Sequence, residues 1–161
     1  MNPTFRFAGG MDAAKALQAL GDSKAATRAG RVALRAAAAP FVSTAQANVP
    51  VDKGDLRRSI KVAAGRRDRG DDGDQVSVVI GIDSSVQPPR DVTREGGKGT
   101  YRDPGVAGVS VIQEFDLEHG GNPFMRPAWD AHKDATAGTV GRELGPAIEA
   151  EAARLARRKG G

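Results

Sequence analysis

Cysteine is absent from the 161 residues, which excludes a disulfide framework, a thiol nucleophile and thiolate metal ligation. Aromatic side chains make up only 4% and do not alternate with basic residues, so the stacking platform of a single-strand nucleic-acid binder is missing. No apolar run approaches the roughly 20 residues needed to span a bilayer. Residues 1–10 also lack the apolar centre of a secretion signal. The expectation is a soluble product with no membrane partner. Hydrophobic residues reach 39%, but alanine supplies much of that share, so large core side chains are few. At about 25 cal/mol per Å² of buried apolar surface, one copy alone is expected to be modestly stable, which favours an oligomer.

What is present is charge and glycine. Lysine and arginine number 24 against 20 acidic residues, a net charge of +4, and the isoelectric point is about 9.8. That balance admits a nucleic-acid partner. The clusters at Arg57-Arg58, Arg66-Arg67 and Arg157-Arg158-Lys159 are separated along the chain and diluted by acids, and solvated faces and a frayed terminus account for them better than nucleic-acid contact does. The length suits one domain, 1–161. Residues 1–10, 84–105 and 157–161 are expected to be flexible.

Met11, Ala14 and Leu17 place a short helix over residues 11–20, ended by Gly21. An alanine-rich helix follows over 24–48, with Leu34, Ala38, Phe41 and Ala45 at helical spacing and Pro40 inside it. A mid-helix proline removes one backbone hydrogen bond, so a bend near 36–40, or two helices meeting there, is expected. Pro50, Asp52 and Gly54 carry turn chemistry. Leu56 and Ile60 then support a helical turn entering a strand. Val76, Val78, Ile80 and Ile82 alternate in the clearest strand, 75–82.

Residues 84–105 hold Pro88, Pro89 and Pro104, several glycines and little to bury, and are expected to form a long loop without secondary structure. Val109, Val111, Gln113 and Phe115 alternate, predicting a strand over 108–115, with the loop joining it to 75–82. A last helix begins near Pro127, a residue suited to a first turn. Trp129, Val140, Leu144, Ile148 and Leu155 fall near one face, with weak points around Gly145 and Pro146. The predicted class is α+β: N-terminal helices, a small antiparallel sheet with a long inter-strand loop, and a long C-terminal helix packed on the sheet.

Catalytic constellations fail on spacing. His119 and His132 form no ligand set with Glu114, Glu118 and Asp130. Asp71-Asp72-Gly73-Asp74 is too short for a calcium loop. Gly96-Gly97-Lys98-Gly99-Thr100 lacks the leading glycine and following helix of a phosphate cradle. Glu114, Asp116 and Glu118 alternate at the predicted strand end, with no neighbour expected to perturb them. The prediction is no enzyme, no cofactor and no metal.

Two runs remain. One is Ala47-Asn48-Val49-Pro50-Val51-Asp52-Lys53-Gly54-Asp55-Leu56-Arg57-Arg58-Ser59-Ile60. The other is Glu114-Phe115 followed by Asn122-Pro123-Phe124-Met125-Arg126-Pro127-Ala128-Trp129-Asp130. In this order, between these helices, they resemble the gene-product-ten-like tail-completion proteins of the head–tail neck of long-tailed bacteriophages. The resemblance covers roughly 11–158. Lys53 stands where threonine is usual, Asp116 replaces a glycine, and 84–105 is longer than usual.

The resemblance implies a virion protein at the head–tail junction, made in the host cytoplasm. It implies a homo-oligomeric ring, with a hexamer as the expectation, that touches tail-terminator and head-closure or connector proteins. Non-specific contact with DNA in the channel is a further expected partner. Alternatives are a basic DNA-binding accessory protein and an assembly chaperone absent from the finished particle. Pro50, Asp52, Gly54, Leu56, Phe115, Pro123, Phe124, Pro127 and Trp129 are expected to shape the fold. Arg57, Arg58, Arg126, Tyr101 and Arg102 are the interaction candidates, the first three because a guanidinium forms a two-pronged contact with a carboxylate.

Overall fold

A computed structural model describes residues 21, 23–50, 52–65, 69–70, 73–74, 76–97 and 99–159. The helix predicted over 11–20 lies outside them. The first element is helix α1, Ser23–Asn48, which continues through Pro40 as one helix. Helix α2, Asp55–Ser59, leads into strand β1, Ile60–Ala64. A minimal hairpin of β2, Arg69–Gly70, and β3, Gly73–Asp74, precedes β4, Val78–Ile82. Then come β5, Arg90–Thr93, β6, Thr100–Asp103, helix α3, Gly105–Phe115, and helix α4, Met125–Lys159. The fold is α+β.

β1 pairs with β4. The Asp83 N–H donates to the Ser59 carbonyl at 2.8 Å and the Gly65 N–H to the Ser77 carbonyl at 2.9 Å, so one strand's numbering falls as the other's rises and the pair is antiparallel. Burial follows the predicted alternation: Val76, Val78, Ile80 and Ile82 are partly buried, whereas Ser77 and Val79 face out.

Two sequence expectations are overturned. Residues 108–115 are helix, not strand. Val106, Ser110 and Glu114, spaced i, i+4, i+8, are the inward positions, and that is helical geometry. The alternating set misled because β-branched and aromatic residues occupy the outer face: Val111, Ile112 and Phe115 are exposed. Residues 84–105 are not without secondary structure. β5 and β6 form an antiparallel hairpin in the register Arg90↔Asp103 to Thr93↔Thr100, and the sheet partner of β4 is β1. The hairpin stays legible only through backbone pairing, since its side chains bury almost nothing.

The chain divides into two compact units, Met1–Pro40 with Ala64–Val79 and His132–Gly161, and Phe41–Ala63 with Ile80–Ala131. In the second unit Phe41, Ala45, Val49, Leu56, Ile60, Phe124 and Ala128 form the core, with Ile80, Ile82, Val109 and Met125 packed on it. Phe124 is 1% exposed, and burying such a ring contributes about 3 kcal/mol. The first turn of α4 thereby packs on the β1–β4 pair. In the first unit the core is built largely from alanine. Ala25, Ala29, Ala33 and Ala37 make a buried i, i+4 stripe along α1, and Ala29 meets Ala147 and Ile148 of α4 with Leu144 alongside. α4 runs without interruption through Gly145 and Pro146.

The hairpin is closed at its base. The Gly105 N–H donates to Asp103 Oδ1 at 2.9 Å, Gln87 Nε2 to Asp103 Oδ2 at 3.0 Å, and the Val106 N–H to the Gln87 carbonyl at 3.0 Å. Gly105 has φ +66, and a Cβ there would lie 2.5 Å from the Gln87 carbonyl oxygen. Gly96, at the hairpin tip, also has positive φ (+80) but faces open space. Gly96→Ala is therefore expected to cost about 1 kcal/mol, the left-handed penalty alone. Gly105→Ala is expected to cost clearly more; comparative thermal denaturation checks the order.

Candidate interaction surface

The first motif is a reversal. α1 ends at Asn48, Val49 enters the core, and Gly54 adopts φ 75, ψ 5 as the residue before α2. A left-handed conformation suits glycine above all others, so the turn rests on Gly54, while Asp52 is exposed. The Arg58 N–H closes the first helical turn onto the Gly54 carbonyl at 3.0 Å. Its side chain folds back, with Nη1 donating to the Lys53 carbonyl at 3.3 Å and Nη2 pairing with Asp55. Ser59 is buried with its hydroxyl on the Leu56 carbonyl (2.7 Å), and Gln46 Nε2 donates to the Ile60 carbonyl at 3.2 Å. Leu56 is in the core; Arg57 is exposed and has no ion pair among the described residues.

The second motif is a helix cap borrowed from another helix. The first turn of α4 contains no acidic residue, and its free N–H groups need acceptors. Glu114, at the end of α3, supplies them. Its Oε2 accepts from the N–H groups of Phe124 and Met125, both at 2.9 Å, and its Oε1 from the Arg126 N–H and Arg126 Nε, both at 3.0 Å. Arg126 also donates through Nη2 to the Glu114 carbonyl. Between the two residues, the Asp116 N–H closes α3 onto Ile112, the Gly121 N–H returns to the Asp116 carbonyl at 2.8 Å, and the Asn122 N–H reaches Gln113 Oε1 at 3.1 Å.

Glu114 was expected to be an unperturbed strand-end carboxylate, and this is corrected. Burial pushes its pKa up, but the N–H groups of Met125, Phe124 and Arg126 and the Arg126 guanidinium outweigh burial and hold it below the usual 4.5. The missed signal was the absence of any Ser, Thr, Asp or Asn at the position before Met125, which left the predicted helix without a local cap.

Arg126 is thus held within the chain. Its guanidinium also lies over the ring of Phe115, 5.1 Å from the centroid, and Phe115 itself is 67% exposed. Trp129 is half exposed and meets Phe41 edge-on, with centroids 6.3 Å apart. Pro127 sits in the first turn of α4, and Pro123 is partly buried before it. Arg102 pairs across the hairpin with Asp91 at 3.3 Å, both well exposed.

One cleft of about 480 Å³ brings the separate pieces together. Pro50, Gly54 and Leu56 of the first motif line it together with Tyr101 and Asp103 of β6 and Val106 of α3. Tyr101, 49% exposed, is the sole aromatic ring among the residues lining it. Arg126, Phe115 and Trp129 do not line it. Among the described residues there is no cluster of three or more metal-ligating side chains and no helix long and apolar enough to cross a membrane.

Residues 12–85 match the family described as "Bacteriophage HK97-gp10, putative tail-component". The chain is HK97-gp10-like over that span. No curated protein and no solved structure matches it. The HK97-gp10-like segment contains the first motif, α1, α2 and the β1–β4 pair, whereas Glu114, the second motif and the hairpin lie beyond it. The family supports a structural role in a phage tail.

Because the folded-state pKa of Glu114 is lowered, its contribution to stability is complete above about pH 4.5 and is lost as the pH falls through the lower folded value. Glu114→Gln is expected to cost about 2 kcal/mol at neutral pH and to flatten part of the acid-side fall in stability. Denaturant melts of both proteins between pH 7 and pH 3 read both effects.

Proposed function

We propose that this protein is a structural subunit of the head–tail junction of a tailed phage particle, acting by contact with copies of itself in a ring rather than by catalysis. The observation that carries this reading is the cleft in which the first motif of the HK97-gp10-like segment meets Tyr101 of the hairpin. In a cyclic ring each subunit presents one patch to a different patch on the next. The half-exposed Tyr101, in a cleft that Pro50, Leu56 and Val106 also line, and the unpaired Arg57 on the adjoining helix supply an anchor and a charge for such a contact. Arg58, Arg102 and Arg126 contribute less, since each already has an intramolecular carboxylate. Tail-terminator and head-closure proteins are the neighbours this role requires, and the finished virion is its location.

The test is light scattering after size exclusion across concentration, with mass spectrometry of purified particles. A discrete ring-sized oligomer, reduced to monomer by Tyr101→Ala with Arg57→Glu while the melting temperature holds, is the expected result. Absence from particles would transfer the role to an assembly chaperone. An oligomer indifferent to both substitutions would remove the cleft from the interface.

A further inference from the structure

The net positive charge of the chain is not spread evenly. The unit formed by Met1–Pro40, Ala64–Val79 and His132–Gly161 holds 15 lysines and arginines against 10 acidic residues, whereas the other holds 9 against 10. Within the first unit the excess is ordered. Helix α1 contains no acidic residue over Ser23–Asn48, and all of its cations, Lys24, Arg28, Arg31 and Arg35, fall at i, i+4, i+7 and i+11. That spacing puts them in a single row on one helix face, about 16 Å long at 1.5 Å per residue. The opposite stripe is the buried alanine ladder, so the row is set by the packing of the helix.

The arginines of the row are under-neutralised. Glu151 of α4 is the carboxylate that pairs with Arg28, and it is shared, while Arg31 and Arg35 have no ion pair among the described residues. Its Oε2 accepts from Arg28 Nε and from Arg154 Nε, both at 3.0 Å. Three guanidinium nitrogens, Arg28 Nη2, Arg31 Nε and Arg154 Nη2, are out of solvent and have no hydrogen-bond partner. Unpaired N–H groups on charged side chains are costly to bury, and one carboxylate does not balance this set. Arg28 and Arg154 keep 38% and 40% of their side-chain surface open, and Arg35 is exposed.

We infer that the Lys24–Arg28–Arg31–Arg35 row, extended by Arg154, is a sequence-independent binding site for the phosphodiester backbone of duplex nucleic acid. A duplex carries one negative charge per about 1.7 Å of axis, so a 16 Å row of cations spaced one helical turn apart has phosphates within reach along its whole length. α1 has no aromatic residue beside its cations, and residues 64–79 and 132–161 contain no Phe, Tyr or Trp, so the row itself offers no ring for base stacking and its contact is to backbone. A row without a buried apolar anchor is also unlike the centre of a protein–protein interface. This assignment stands apart from the ring contact, which uses the other unit.

The experiment is fluorescence anisotropy of the full chain with a random-sequence 20-base-pair duplex from 50 to 200 mM salt. Binding is expected to fall steeply with salt, and Arg31→Gln with Arg35→Gln to weaken it about tenfold and reduce the log–log salt slope by about 1.8. Arg90→Gln with Arg94→Gln, an equal change of net charge in the other unit, is expected to leave affinity unchanged. Glu151→Gln, which removes the competing carboxylate, is expected to raise it, so the assignment does not depend on a loss-of-function variant alone. Circular dichroism melts accompany each variant. No binding at 50 mM salt, or equal loss in both double variants, overturns the site. Binding of polyglutamate or inorganic phosphate as tight as that of the duplex, with the same dependence on Arg31 and Arg35, also overturns it and assigns the row to an acidic protein or a free anion.

Discussion

The carboxylate of Glu114 holds together the end of one helix and the start of another. Four donors converge on its two oxygens, three of them backbone N–H groups at the entrance of α4. A helix N-terminus carries partial positive charge, so an ionised acceptor there acts on the macrodipole as well as on individual hydrogen bonds. Phe124 and Ala128 reach the core only because the chain enters α4 at this angle. The intervening turn, with Asp116, Gly121 and Gln113 closing its own hydrogen bonds, has little freedom left. The second sequence run is therefore one device: an acceptor, a spacer, an aromatic core residue and an arginine that closes over the acceptor.

The same economy marks the first run. Gly54 turns the chain, Val49 and Leu56 point inward, and Ser59 satisfies its hydroxyl locally while buried. Asp52, Lys53 and Asp55 of this run line the cleft together with residues of β6 and α3. Fold and candidate surface thus share residues, and the apolar members of the motif are needed by the core whatever the surface contacts.

Elements with a strong period were legible in the sequence. α1, the α2 turn, β4 and α4 form where their spacing places them, because each buries one face and the pattern records that face. The failures share a cause. In 105–115 small and β-branched residues lie on the exposed side while a serine and a glutamate lie on the inner side, so polarity pointed the wrong way. The β5–β6 hairpin has no buried face at all, and backbone pairing leaves no mark in composition. At the candidate surface, Gly54 and Leu56 were readable from turn and core chemistry. The role of Glu114 was not, because its partners begin ten residues away and belong to a helix whose missing local cap was the only hint.

The position of Phe124 has a consequence for how the chain is made. The span that matches the phage family ends at residue 85, yet the largest fully buried side chain of that span's own core arrives from residue 124, with Ala128 in the same core. During synthesis, helix α1 and the β1–β4 pair leave the ribosome with an unfilled core around Ile60. That core is completed only after about forty further residues have followed, a delay that chain order imposes. The boundary drawn by sequence kinship therefore does not coincide with a unit that folds by itself. A fragment cut there loses its keystone.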